Sequence, residues 1–436
     1  MQPRKSHQAI AVFALFLISL FASTFAAGPA QAQTFKVLHT FHSGRGPIAA
    51  GGQLVLDKEG NLYGIAGGGT GKCSKLGCGT VFKMSKTGKL VWVYSFKGNG
   101  YDGNGPSGGL LRDARGNLFG VTSYGGVNTK ACAANVPRIC GVVFKLDPTG
   151  KKETVLHKFT NTPDGEVPGS LLVEDSAGDL YGTTVWGGAD VAYGIVFKVN
   201  QSRNETILYN FTGQADGGNP YAGVILDSSG NLYGTTGYGG DTSCGTQSGQ
   251  GCGTVYKVDS SGTETVLYDF EWGSTGAFPS SGLIQDAAGN LYGETSLGGN
   301  GQIYDCDGYE GCGVVYELSP DGTYTVLYAF NYTDGFEPFG GLVRDAAGNL
   351  YGVTADGGEK GSNCNGGDCG LVFKLDTTGK ETVLHAFTGG TDGAWPDGGL
   401  AIDAAGNLYG TTQDGGDFNC AYNGVRGCGV VFKITP

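Results

Sequence analysis

Positive charge, histidine and long apolar runs are all scarce in this chain. Lys and Arg number 28 against 40 Asp and Glu, and His occurs 5 times in 436 residues. Both Arg4 and Lys5 lie in a separate N-terminal segment. Without them 26 basic residues face 40 acidic ones, a formal charge of −14. That balance excludes nucleic acid and anionic lipid surfaces as expected partners. It is the charge of a soluble surface protein. Beyond the first 32 residues no stretch is apolar enough to cross a bilayer. No segment repeats its apolar residues with a helical period, which leaves an all-β chain. There is no Gly-x-Ser-x-Gly elbow and no His-Glu-x-x-His. No cofactor and no metal is expected.

The first 32 residues read as a signal peptide. Arg4 and Lys5 form a basic start, an apolar run covers 9–25, and Ala30-Gln31-Ala32 is an A-x-A cleavage pattern. The alternative is an uncleaved anchor, for which the run is short. The mature chain would be one domain, 33–436, secreted or held at the cell surface.

What is abundant is repetition. The octapeptide Asp-x-x-Gly-Asn-Leu-Tyr-Gly, with small variations, starts at Asp57, Asp113, Asp175, Asp227, Asp286, Asp345 and Asp403, at spacings of 52 to 62 residues. A period near 50 marks a propeller or a solenoid. Residues 340–387 show the unit. A short strand at 340–345 and a strand at 349–354 flank a tight turn, and a Gly-rich loop follows. A strand at 370–375, a second turn and a strand at 381–387 complete it. Four antiparallel strands, seven times, predict a seven-bladed β-propeller. The chain ends after a third-type strand, 429–434, and residues 34–41 match the missing fourth one. The N-terminal strand is therefore expected to complete the last blade and close the ring, which removes the exposed edge.

Each second strand carries an aromatic residue (Tyr63 to Tyr409), as does each third (Phe82 to Phe432) and each fourth (Phe96 to Phe387, with Phe41 supplying the seventh). These rings are expected to pack between blades. Gly pairs opening several first strands suit a crowded position near an axis.

Twelve cysteines form six close pairs: Cys73/Cys78, Cys132/Cys140, Cys244/Cys252, Cys306/Cys312, Cys364/Cys369 and Cys420/Cys428. In an exported protein these read as local disulfides. Metal binding would need two pairs to converge, which repeats spread around a ring prevent.

The disulfide loops and the links between repeats fall on one face, opposite the Asp-x-x-Gly turns. Long loops on a rigid frame are where binding sits. The links carry Asp-Gly-x-x-Pro, begun by Asp102, Asp164, Asp216, Asp334 and Asp392. Five carboxylates raise a calcium reading, but no closely spaced acidic loop is present, and each Asp is suited to bond its own turn amides. Trp186, Trp272 and Trp395 break the repeat on this face, and exposed Trp stacks on sugars or anchors a partner. Packing is the competing role for all three. Trp186 stands in the one repeat without a cysteine pair. His39, His157 and His385 replace the Tyr of other repeats, so they are strand residues rather than catalytic ones.

The segments Gly-Asn-Leu-Tyr-Gly-Thr-Thr, Gly-x-Val-Phe-Lys and Glu-Thr-Val-Leu-Tyr-x-Phe closely resemble the GloVer repeat of bacterial choice-of-anchor tandem repeat proteins. The resemblance spans essentially all of 34–436. It implies an exported, often surface-attached, propeller-like protein and no particular activity. The chain stops at Pro436 without a sorting segment, which favours release over anchoring. The expected function is a monomeric binding or structural module for an extracellular polysaccharide or a surface protein. The alternative is a polysaccharide lyase or glycosidase, because the spacing of acid pairs is spatial and not sequential.

Overall fold

Each copy of the octapeptide builds the same hairpin. In the first, the Asp57 carboxylate accepts the backbone N–H groups of Glu59 (3.1 Å) and Asn61 (2.8 Å). It also accepts Asn61 Nδ2 (2.8 Å) and the Tyr63 hydroxyl (3.0 Å). Gly60, at φ 81°, makes the turn. The Asp–Tyr bond recurs in six of the seven copies, as in Asp345–Tyr351 at 3.0 Å and Asp403–Tyr409 at 3.0 Å. Phe119 stands in the second copy and cannot make it. The motif tyrosine was expected only to pack; it also ties the second strand back to the turn. The closing glycine has a steric cause. A Cβ on Gly64 would lie 2.5 Å from the Phe82 ring, and one on Gly352 2.6 Å from Phe373.

The structure is a computed structural model. It describes residues 33–436 except 45, 74–76, 99–101, 127–139, 170, 190–192, 242–243, 245–250, 300–305, 307–310, 359–363, 365–367 and 423–424. The expected signal peptide lies outside the described residues. Among those described there is no helix, and all regular structure is β.

The four strands of each repeat pair antiparallel in chain order. In the sixth repeat Leu350–Asp356 pairs with Leu371–Leu375, which pairs with Glu381–Ala386. The first strand departs from expectation. Instead of one run it forms two pieces, Phe336–Pro338 and Val343–Arg344, both paired to the second strand. Gly340 and Gly341 lie between them, and Gly341 adopts φ 75°. Here the backbone leaves the ladder to meet its neighbours, since a Cβ on Gly399 would strike the Gly340 carbonyl. The fourth-strand phenylalanines also fall one residue beyond the strand. Each donates its N–H to the glycine before the third strand, as Phe387 does to Gly370 (3.0 Å).

The two ends of the chain meet in one sheet. Thr34–Thr40 pairs with Val430–Thr435, and Leu408–Thr411 and Ala401–Ile402 follow. The fourth strand of the last repeat is thus supplied by the N-terminus.

Repeats hold one another by three recurring contacts. The first is an edge-on aromatic pair between each fourth-strand Phe and the third-strand ring of the next repeat. Examples are Phe96–Phe144 (5.2 Å), Phe211–Tyr256 (5.0 Å) and Phe387–Phe432 (5.3 Å). The second is the proline of each link, which seats on a glycine of the preceding repeat. Cβ atoms on Gly253 and Gly370 would lie 2.8 Å from Pro279 and Pro396. The third is the residue before that proline. Val167, Asn219, Phe278, Glu337 and Trp395 all adopt left-handed φ values of 54° to 56°. Such backbone is costly for L-residues. It turns the N–H back to the previous repeat: Phe278 donates to the Cys252 carbonyl (2.9 Å) and Trp395 to that of Cys369 (3.0 Å).

Five of the expected disulfides are described: Cys73–Cys78, Cys244–Cys252, Cys306–Cys312, Cys364–Cys369 and Cys420–Cys428, with Cα separations of 5.1 to 5.8 Å. The sixth expected bridge, Cys132–Cys140, is not among them, because Cys132 lies outside the described residues. Cys140 is described and is disulfide-bonded. It is fully buried, in a cluster with Phe119, Val143 and Phe159, and its carbonyl accepts the Val167 N–H (3.3 Å). It thus holds the place that Cys252 and Cys369 hold in their repeats. In the third repeat Tyr193 takes the second cysteine's place. Its carbonyl still accepts the Asn219 N–H (2.7 Å), and its ring packs on Gly213.

Candidate functional site

The link aspartates are engaged by their own loops. Asp102 accepts the N–H groups of Lys97 (2.7 Å) and Gly98 (3.0 Å). Asp164 accepts Thr160 N (2.9 Å) and Oγ1 (2.6 Å) and meets His157 Nε2 (3.1 Å). Asp216 accepts Thr212 N (2.8 Å) and the Tyr209 hydroxyl (3.0 Å). Asp334 accepts Asn331 N (2.8 Å) and the Tyr328 hydroxyl (2.7 Å). Asp392 accepts Thr388 N (3.0 Å) and meets His385 Nε2 (3.2 Å). For Asp164, Asp216, Asp334 and Asp392 the strand His or Tyr is therefore a partner of the link Asp. Burial opposes ionisation of Asp164 and Asp392, but their His and Thr bonds outweigh it and hold both below the usual carboxylate range. Among the described residues no three His, Cys, Asp or Glu side chains gather as metal ligands.

The tryptophans divide. Trp186 ends the second strand of its repeat, opposite Glu166, and is 41% exposed. Trp395 is 37% exposed, and its left-handed backbone sets its side chain where Nε1 donates to Asp356 Oδ1 (3.0 Å). Trp272 is half-buried, edge-on to Phe278 at 6.0 Å.

The feature that sequence reasoning missed is a cavity of about 320 Å³ lined by the first strands of all seven repeats. Its wall is mostly glycine and small residues, among them Gly52, Gly108, Gly169, Gly223, Gly282, Gly340 and Gly399. The residue after the link proline breaks this pattern, being Tyr221 in the fourth repeat, Ser280 in the fifth, Phe339 in the sixth and Asp397 in the seventh. Tyr221, Ser280 and Phe339 also border an adjoining hollow of about 360 Å³, whose lining is largely apolar and includes Tyr238 and Phe278. Tyr221 and Phe339 are each 37% exposed. A signal existed in the sequence: this position varies from glycine or serine to aromatic and acid, next to a recurring structural turn.

Among the described residues Asp397 is the one carboxylate lining the cavity. Gln413 Nε2 donates to its Oδ2, and Oδ1 has no hydrogen-bond partner among the described residues. Burial pushes its ionisation up to about 6. Asp414 beside it is also raised to about 6, by burial and then by the Asp397 charge. A separate depression on the turn face, between the second and third repeats, is lined by Arg115 and Lys145 together with Asp113, Glu174 and Asp175. Its charges compensate one another.

The fold and this face define an all-β tandem-repeat protein with stacked four-stranded units. The chain belongs to the Gloeobacter/Verrucomicrobia repeat family, whose sequence profile matches residues 129–309 and 304–436. No curated protein matches the sequence. Among solved structures it is similar to a luciferin-regenerating enzyme, at 15% identity and a TM-score of 0.40, covering 77% of this chain and 92% of that one. A gluconolactonase from Xanthomonas campestris shares 13% identity with a TM-score of 0.38 over 81% and 89% of the two chains. An unknown-function protein from Dyadobacter fermentans DSM 18053 shares 11% identity with a TM-score of 0.45 over 92% and 98%. All three likenesses are remote.

Proposed function

We propose that the chain is an exported, seven-bladed β-propeller, closed by its N-terminal strand, that binds an extracellular polysaccharide or a surface protein through the loop-rich face. Export is supported by the basic start, apolar run and Ala30-Gln31-Ala32 pattern, and by five disulfides. The ring is supported by the Phe41–Phe82 contact, which links the last sheet to the first repeat at 5.6 Å, and by the cavity shared among all seven first strands.

The observation that carries the binding function is the set of large aromatic side chains left exposed on this face: Trp186, Tyr221, Phe339, Trp395 and Phe418. Scattered exposed aromatics need no explanation, but Tyr221 and Phe339 border one continuous hollow. Aromatic faces of this kind take the C–H faces of sugars or the apolar anchors of a protein. Glycan-array and pull-down binding by the intact chain is expected, and Phe339→Ala or Trp395→Ala should weaken it about tenfold, roughly 1.4 kcal/mol. Silence of the intact chain in both assays would count against the reading.

A second reading, a polysaccharide lyase or glycosidase, draws on Asp397 and Asp414, two neighbouring carboxyls with raised ionisation. It requires new reducing or unsaturated ends on a bound glycan, and their loss in Asp397→Asn.

A further inference from the structure

We propose that the cavity mouth between Phe339 and Asp397 selects a sugar carrying a free amino group, so that the glycan bound on this face is cationic. This rests on the glycan-binding reading above and goes beyond it to the chemistry of the ligand.

Three observations lead there. The first is the aromatic shelf. Tyr238 lies edge-on to Tyr221 (6.2 Å) and to Phe278 (5.6 Å), and Phe339 borders the same hollow. A flat ring with axial C–H groups, such as a pyranose, has somewhere to stack.

The second is the charge. Among the described residues neither the cavity nor the shelf is lined by Lys or Arg. Asp397 is the one carboxylate in their lining, and Asp414 lies close enough to shift with it. Asp356 accepts from the Trp395 indole nearby (3.0 Å), and the Trp395 carbonyl accepts Gln413 N–H (3.0 Å) in the same network. A carboxylated or sulfated glycan would meet no positive side chain among the described residues here, and a carboxylate that repels it. An ammonium group gains from both, by ion pairing with the carboxylate and by cation–π attraction.

The third is that the scaffold gives no reason for Asp397. The same register position holds Ser107, Gly169, Tyr221, Ser280 and Phe339 in other repeats, so no turn or ladder needs a carboxylate there. A poorly solvated carboxylate oxygen with no more than its own and the next residue's N–H beside it is unfavourable for folding. Asp397 is nevertheless held firmly. Gln413 grips one oxygen, and Gly398 and Gly399 after it lie against the Gly52 and Gly340 carbonyls with no room for a Cβ. A Cβ on Gly51 would lie 3.4 Å from Oδ1. Such a group is costly in the free protein and set for a cation to complete.

The test measures binding of a β-linked glucosamine oligomer, its fully N-acetylated form and a uronic acid oligomer of equal length. The intact chain should bind the amine form at least tenfold more tightly than the acetylated one, with the preference shrinking as salt rises. Asp397→Asn should abolish that preference, and Phe339→Ala should weaken binding of both oligomers. Should Asp397→Asn fail to fold, the ratio and its salt dependence in the intact chain decide alone. Equal binding of amine and acetylated forms, or tighter binding of the uronate, overturns the cationic preference and leaves glycan binding standing. Binding of none of the three overturns it together with the glycan reading.

Discussion

Phe41 meets Phe82 edge to face, with ring centres 5.6 Å apart and planes at 64°. One ring belongs to the N-terminal strand and the other to the third strand of the first repeat. Both are buried, at 1% and 0% exposure. The same relation joins Phe330 to Phe373 at 5.1 Å deep within the chain. The first described strand therefore packs as an interior repeat does. Phe41→Ala should cost as much as Phe330→Ala, about 3–5 kcal/mol each, read from urea unfolding midpoints. A Phe41 variant with unchanged stability would mean that the first strand is dispensable.

The turn triad offers a graded test. Tyr351→Phe removes the hydroxyl that donates to Asp345 at 3.0 Å and keeps the ring. It should cost about 1 kcal/mol, because the pair is only partly buried. Asp345→Ala also strips the bonds to Asn349 N (2.9 Å) and Nδ2 (2.7 Å) and should cost about 2–3 kcal/mol. Equal losses in the two variants would show that the tyrosine bond carries the whole turn.

Stability should peak at mildly acid pH. Glu153, Glu205, Glu264 and Glu381 open their fourth strands and lie half-buried, each with one oxygen lacking a partner among the described residues. Burial pushes each from 4.5 to about 7, with a nearby link aspartate adding to it and, at Glu205, the His157 charge opposing it. A carboxyl raised in the folded state favours folding while protonated. Its contribution is full below 4.5 and is lost as pH rises through about 7. The turn aspartates act in the opposite sense. For Asp57, Asp345 and Asp403 burial opposes ionisation, but hydrogen bonds from the turn outweigh it and lower the value, so their stabilisation fades as pH falls below 3.8. Glu264→Gln should raise Tm by about 1–2 °C at pH 8 and leave it unchanged at pH 4. A rise at both values would point to better packing rather than charge.

The third repeat predicts how far the disulfides matter. Replacing Cys364 and Cys369 by serine opens a short loop, and the loss should be about 2 kcal/mol on chain-entropy grounds. Tyr193→Ala, in the repeat that has no pair, should cost at least as much, since its ring fills the space over Gly213 and Gly218. Chemical denaturation under oxidising conditions compares the two directly. A neutral Tyr193→Ala would mean that the third repeat needs no substitute for its missing bridge.

Much of this architecture is local and could be read along the chain. The turn Asp and Gly, the alternation of the strands and the paired cysteines act within about ten residues of one another. The hairpins, the count of repeats and the five described bridges therefore follow from the order of residues. Even the joining of Thr34–Thr40 to Val430–Thr435 was legible, because a missing strand at one end matched a spare one at the other. Three things depended on neighbours far away in sequence. The left-handed residue before each link proline could not be foreseen, since a residue before proline ordinarily extends, and only the carbonyl of the preceding repeat turns Trp395 and Phe278 over. The broken first strand had the same origin, in glycines drawn toward adjacent backbones. The site came from the folded assembly. Tyr221, Phe339 and Asp397 stand at one register position in three repeats, and only the meeting of all seven first strands at a common cavity turns that position into a shared wall.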